Sequence, residues 1–150
     1  FKDLYLSGGV YLGGTVADNK LDDYEYGNWY PRLKGEGGGE TDNLGTGTYI
    51  KVGKMVHLEA YVNVTVDTTG LSGVVNISNL PFVAVPWAGG GSLAYASTLT
   101  TLDEIDISLN LRPYSGSTFR IAKGSSVGWL AASETNTGAI AFMLEGWFRV

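Results

Sequence analysis

The sequence predicts an all-β fold: an antiparallel β-sandwich of about nine strands, jelly-roll-like, preceded by a short shaft or collar segment. Three observations predict it. From Met55 to Val66, apolar and polar residues alternate strictly, which is the period of a strand with one face in a core. Glycine is abundant, with 22 of 150 residues, and proline is scarce, with 4; short strands joined by tight turns have that composition. Turn signals recur at intervals of roughly ten residues, as a two-sheet sandwich requires, and no stretch carries apolar residues at helical spacing.

The elements follow in chain order. Residues 1–27 contain Leu4, Leu6, Val10 and Leu12, but Gly8-Gly9 and Gly13-Gly14 interrupt them. So short a stretch cannot bury its own apolar face, and it is expected to pair with other copies of the chain as a shaft end or collar. Residues 28–150 are expected to form the head domain. A first strand is expected over Trp29–Leu33, then a flexible surface loop at Gly35–Glu40. Thr48–Val52 and Met55–Val66 should form a hairpin across Gly53-Lys54, with Gly first as a type II′ turn requires. Further strands are expected at Val74–Ile77, Ser92–Thr100, Ile105–Arg112, Phe119–Ile121, Val127–Ser133 and Ile140–Val150. The alternation places Val56, Leu58, Val62, Ile107, Leu109, Ile140 and Phe142 in the core.

The formal net charge is -5, and an acidic surface repels phosphate backbones, so no nucleic-acid partner is expected. The absence of cysteine excludes disulfides, thiol catalysis and cysteine-held zinc. No apolar run approaches the roughly 20 residues of a spanning helix, so no membrane insertion is expected. The chain opens at Phe1 without an initiator Met or signal-peptide pattern, and is expected to be a piece of a longer protein.

Catalytic constellations are missing. The single histidine, His57, takes an outward strand position and would have to carry any Ser-His-Asp chemistry alone. The stretches Gly45-Thr46-Gly47 and Gly89-Gly90-Gly91 lack the Lys-Thr and helix of a phosphate loop. Asp22-Asp23 and Asp103-Glu104 are adjacent pairs, and neighbours in extended chain point opposite ways, so neither pair readily flanks one glycosidic bond. They read as solvated loop charges. Asp18, Asp22 and Asp23 could offer oxygens to calcium, but the EF-hand spacing is absent. The expectation is therefore a protein without catalysis, metal or cofactor. Asn63-Val64-Thr65 and Asn76-Ile77-Ser78 match glycosylation sequons. Trp87, Tyr114 and Trp129 lie in or beside Gly/Ser-rich turns; they either cap the ends of the core or offer ring faces on which sugars stack.

A family resemblance runs through the first half of the chain. Phe1 to Thr15 is similar to the segment that ends the shaft of tailed-phage fibre proteins. Leu21-Asp22-Asp23-Tyr24-Glu25, followed by Gly27-Asn28-Trp29-Tyr30-Pro31, resembles the "LDDYEEGTWTP" signature of phage tail fibres and tailspikes. Gly47 to Val56 is similar to that family's "GxYxKIGxxV" hairpin, and Asn76 to Phe82 resembles its "ISGLPF" element. Tyr26 and Tyr30 depart from the signature's Glu and Thr, leaving Tyr24, Tyr26, Trp29 and Tyr30 as an aromatic cluster at the shaft junction. The resemblance implies an extracellular virion protein, usually a homotrimer, with a β-sandwich head continuing from the rest of the fibre shaft. It transfers no catalytic residue. Three functions are compatible with it: attachment to a host surface glycan or outer-membrane receptor, a purely structural trimerisation or capping domain, and a depolymerase fragment, which the lack of solenoid repeats disfavours.

In an antiparallel sandwich successive loops fall at alternate ends. Counting from the strand with Trp29 makes the first, third, fifth and seventh loops distal to the shaft and puts Gly53-Lys54, Trp87, Tyr114 and Asn136 at the shaft end. The expected ligand-binding residues at the distal tip are Asp42, Asn43, Thr68, Asp103 and Ser125, with Trp129 just beyond as the stacking ring. Glu40, Thr69, Glu104 and Ser126 complete the same polar surface.

Overall fold

The two longest strands form where the alternation is longest. The computed structural model describes every residue except 1, 4, 22, 98–108, 115, 124–127 and 136–137. The described elements are β1 (Val10–Tyr11), β2 (Lys20–Leu21), β3 (Tyr24–Trp29), β4 (Arg32–Gly35), β5 (Gly47–Val52), β6 (Met55–Val66), β7 (Val75–Ser78), β8 (Gly89–Ser97), β9 (Leu109–Pro113), β10 (Phe119–Lys123), β11 (Gly128–Trp129) and β12 (Gly138–Arg149). Strands β6 and β12 pair antiparallel over their whole length, from Gly138 opposite Val66 to Arg149 opposite Met55. Alternation sends Val56, Leu58, Val62, Phe142, Leu144 and Phe148 inward, all essentially inaccessible to solvent.

The sheet path runs β3-β5-β6-β12-β8-β9-β10-β7-β4, with β11 added beside β10. Every pairing is antiparallel. The fold is all-β and sandwich-like. One layer holds β3, β5, β6, β12 and β8, and the other holds β9, β10, β7 and β4; their inner side chains share one core. Phe119 of β10 meets Phe148 of β12 edge to face across that core, with centroids 5.7 Å apart. Trp29 is buried in the same core, and its indole N–H donates to the Glu59 carbonyl at 3.0 Å.

Strand directions alternate along the path, so its first and ninth members, β3 and β4, run the same way. Only Tyr30-Pro31 separates them. The single strand expected over Trp29–Leu33 is therefore two: Pro31 has no N–H to give a ladder, and here the chain passes from the edge of one layer to the edge of the other, as strands do at sandwich corners. Strand β3 already begins at Tyr24, paired with Val52, so residues 24–27 belong to the same sheet as the head. Residues 10–21 form a separate small hairpin.

Two other expectations change. Val127–Ser133 is not one strand; Gly128–Trp129 pairs with β10, and Ala132–Glu134 forms a 3-10 turn. Gly35–Glu40 is not a free loop but is tied down by backbone hydrogen bonds, Gly35 N–H to Gly39 carbonyl at 3.0 Å and Gly37 N–H to Ser72 carbonyl at 2.9 Å. Gly39 has φ +81° and faces the Gly70 carbonyl where a Cβ would stand at 2.1 Å, so only glycine admits this approach. The Gly53-Lys54 hairpin has Gly53 at φ 56°, and Lys54 is not among the residues of positive φ, in keeping with a type II′ turn. Val56, Leu58, Val62 and Phe142 are buried as their alternation requires; Ile107 and the side chains of Leu109 and Ile140 lie outside the described residues. The Asn76 sequon is in β7 with only 3% of the residue exposed, which closes it to glycosylation.

Candidate functional site

The outer faces of the two layers differ in what they carry. On the first layer, alternation sends Tyr24 and Tyr26 of β3, Ile50 and Val52 of β5, Met55 and Tyr61 of β6, and Met143 and Trp147 of β12 outward, and all are exposed. Register brings them together: Tyr26 lies opposite Ile50, Ile50 opposite His57, and His57 opposite Trp147. Polar groups among them are internally paired, His57 with Glu145 at 3.2 Å and Thr48 with Glu59 at 3.1 Å. Taking about 150–250 Å² for each aromatic side chain and somewhat less for the others, this face exposes roughly 700–800 Å² of apolar surface. The polar row Thr48–Glu59–Glu145 divides that surface and sets Tyr61 and Met143 apart from Tyr24, Tyr26, Ile50, Val52, Met55 and Trp147, and this larger cluster stands at the upper end of the patch sizes expected of a monomer, about 300–600 Å². The aromatic cluster expected at the shaft junction is split by the pleat, since Trp29 points into the core while Tyr24, Tyr26 and Tyr30 stay exposed.

The second layer carries the aromatic candidates. Trp87, Tyr114 and Trp129 come from three different segments and meet on the outer side of β9 and β10. The Trp87 ring lies 5.7 Å from Tyr114 and 6.2 Å from Trp129. Arg120 points outward between the buried Phe119 and Ile121, and its guanidinium lies 3.4 Å from the Tyr114 ring centre and 4.8 Å from that of Trp129. This stacked cation fixes the rings. The guanidinium also pairs with the Glu36 carboxylate.

Local chemistry explains why Trp87 stands out. The Ala88 N–H bonds to the Val85 carbonyl at 3.2 Å, closing a turn over Val85-Pro86-Trp87-Ala88. Pro86 suits the second position, and Trp87 at φ 63° holds the third, the place that glycine takes in a type II turn. A left-handed conformation costs a non-glycine residue about 1–2 kcal/mol. The Trp87 N–H is anchored to the Pro113 carbonyl at 2.9 Å, and the residue remains 55% exposed. A large ring is thus held in the open at a conformational cost, an arrangement concentrated at functional sites.

The expected tip residues fall differently. The first and third loops do meet, through Gly37 and Ser72, while Trp87 and Pro113 meet at the other end. Asp42 and Asn43 line a cleft with Val64 to Asp67 and Gly70. Thr68 is 6% exposed and lines a neighbouring cleft with Ser72 to Val74 and Ala131 to Ser133. Trp129 lines neither cleft. Its strand has only two residues, and its ring position is set by the outer face of β10 rather than by a loop end, which unites it with Trp87 and Tyr114. Asp103 and Ser125 lie outside the described residues. Around Asp67, the Thr69 hydroxyl (2.6 Å) and amide (2.9 Å) both donate to one carboxylate oxygen; these bonds hold its pKa below the ordinary aspartate value. On the first layer, the Tyr49 hydroxyl donates to Glu25, and this bond, with burial and the carboxylate's charge, raises the tyrosine's pKa.

Residues that sequence reasoning passed over complete the second face. Lys34, Asn76, Arg120 and Arg112 are successive register partners across β4, β7, β10 and β9. In the next row Arg32 is answered by Glu40 at 3.4 Å. Among the described residues no three His, Asp or Glu side chains gather to hold a metal ion. No family model matches this chain, and no curated protein matches it.

Proposed function

We propose that this domain is a binding head that attaches a phage fibre to a glycan on the host cell surface, using the Trp87–Tyr114–Trp129 cluster as its sugar-stacking platform. The observation that carries the reading is the convergence of three aromatic side chains, distant in sequence, around one guanidinium, with Trp87 held exposed in a turn position that disfavours it. Sugar C–H groups meet such ring faces, and neighbouring polar groups fix orientation. The resemblance of residues 1–82 to tailed-phage fibres supplies the virion context. The exposed apolar cluster of the first layer supports self-association, and the fibre resemblance implies that the assembly is a homotrimer.

The test uses the whole chain on an array of bacterial surface oligosaccharides. Wild type binds a defined subset and Trp87→Gly binds none. That variant relieves the left-handed strain while losing ring contacts, so its stability stays within about 1 kcal/mol of wild type. Unchanged array binding by folded Trp87→Gly would refute the platform. A structural capping domain is the second reading, favoured by the apolar face alone; it predicts assembly with no glycan binding.

A further inference from the structure

We infer that the glycan is anionic, and that its carboxylate or phosphate meets the exposed Arg112, at the end of the transverse row Lys34–Asn76–Arg120–Arg112 that borders the aromatic cluster; this rests on the glycan-binding reading of that cluster. The row follows from register. Lys34 faces Asn76, Asn76 faces Arg120, and Arg120 faces Arg112. Leu33 beside Lys34, and Phe119 and Ile121 beside Arg120, face inward, so the row lies on the outer side of its strands; its ends, Lys34 and Arg112, are exposed, while Asn76 is buried and Arg120 is covered by Tyr114 and Trp129. Neighbouring strands lie about 4.8 Å apart, so the row spans roughly 14 Å, the footprint of an oligosaccharide rather than a single ring.

Charge gives the row its sign. Three cations stand in it against two neighbouring carboxylates, Glu36, which pairs with Arg120, and Glu40, which lies opposite Lys34 and is held by Arg32 and Ser78. Lys34 and Arg112 are both exposed, and among the described residues neither shows an ion pair. The chain as a whole carries -5, so this positive strip stands out from an acidic background. Its middle is also incompletely satisfied. Asn76, 3% exposed, leaves its Oδ1 without a hydrogen-bond partner among the described residues, and so does the Nε of Arg120. The Asn76 Oδ1 can only accept, so a water or a sugar hydroxyl completes it, and the anion is left to the exposed guanidinium of Arg112. The aromatic cluster borders the same row. Arg112 precedes Pro113, whose carbonyl holds the Trp87 amide, and Tyr114 covers the Arg120 guanidinium. A sugar stacked on Trp87 therefore lies beside Arg112, whose fork suits a carboxylate or phosphate.

The experiment prints uronate-, sialate- and phosphate-bearing oligosaccharides beside their carboxyl-reduced or dephosphorylated forms and measures binding of the intact chain. The acidic member of the recognised pair binds roughly tenfold tighter, and that ratio shrinks as added salt screens the row. Which neutralised form loses affinity distinguishes carboxylate from phosphate. Arg112→Gln, on an exposed side chain, collapses the ratio towards one, whereas Trp87→Gly removes binding of both members. Equal binding of the two members overturns the anionic assignment and leaves the glycan platform standing. Binding of neither member by the folded chain overturns both. Preference for a single-stranded oligonucleotide over every sugar would also overturn the assignment.

Discussion

The two outer faces of this sandwich obey the same period-two pleat and end in opposite states. On the β3-β5-β6-β12 face, large apolar side chains such as Tyr26, Tyr61, Met143 and Trp147 stand uncovered. On the β4-β7-β10-β9 face, the outward side chains are drawn into stacks and ion pairs: Arg120 with Tyr114, Trp129 and Glu36, and Arg32 with Glu40. The difference teaches that alternation assigns a side chain to a face but does not say what that face is for. The proposed assembly would use the uncovered apolar face, and the proposed glycan the rigidly held aromatic and cationic one.

Substitutions can separate the faces from the core and from each other. The largest effect belongs to what the layers share: Phe142→Ala, at a fully buried position, should cost about 3–5 kcal/mol in chemical denaturation, because the core cannot collapse around the lost ring. A smaller loss is expected from Arg120→Ala. It strips the rings of their stacked cation and leaves Glu36 partly buried without a partner, for about 2–3 kcal/mol. If that variant were as stable as wild type, the second face would be no more organised than the first. Trp147→Ser should change the stability of the single chain by less than about 0.5 kcal/mol and yet weaken self-association at least tenfold in sedimentation. A wild-type chain that stays monomeric at micromolar concentration would break the contrast. The smallest effect is one of pH. Because its folded pKa is lowered, the stability that Asp67 lends its turn is complete above the ordinary aspartate value, about 3.9, and is lost as pH falls through the lower folded value. Faster hydrogen exchange at the Thr69 amide in that acid range, and not near neutrality, checks the sign.

How much of this was legible in the sequence varies with the range of the pattern. Met55–Val66 declares itself because twelve residues alternate without interruption, and Gly53-Lys54 declares its turn because few residues tolerate φ of 56°. Trp29–Leu33 misled because its alternation hides a corner, although Pro31 was a signal against a continuous strand. The aromatic platform was half visible: Trp87, Tyr114 and Trp129 could be singled out as loop aromatics, and Val85-Pro86-Trp87-Ala88 has the form of a turn. Their convergence could not be read, since it depends on where a two-residue strand docks. The row from Lys34 to Arg112 was hidden for a related reason. It crosses four strands of which only β9 and β10 are consecutive in the chain, and a one-residue slip in any register would send its members to opposite faces.

The central claim, that ligand binding and assembly occupy opposite faces, can be read from one set of signals. The chain has four tryptophans: Trp29 in the core, Trp147 on the apolar face, and Trp87 and Trp129 in the aromatic cluster. Indole N–H resonances in nitrogen-15 spectra, followed as an array-identified oligosaccharide is titrated at fixed protein concentration, report all three environments at once. The account predicts that Trp87 and Trp129 shift with sugar while Trp29 and Trp147 stay, and that Trp147 alone responds to protein dilution. A sugar-induced shift confined to Trp147 would contradict it.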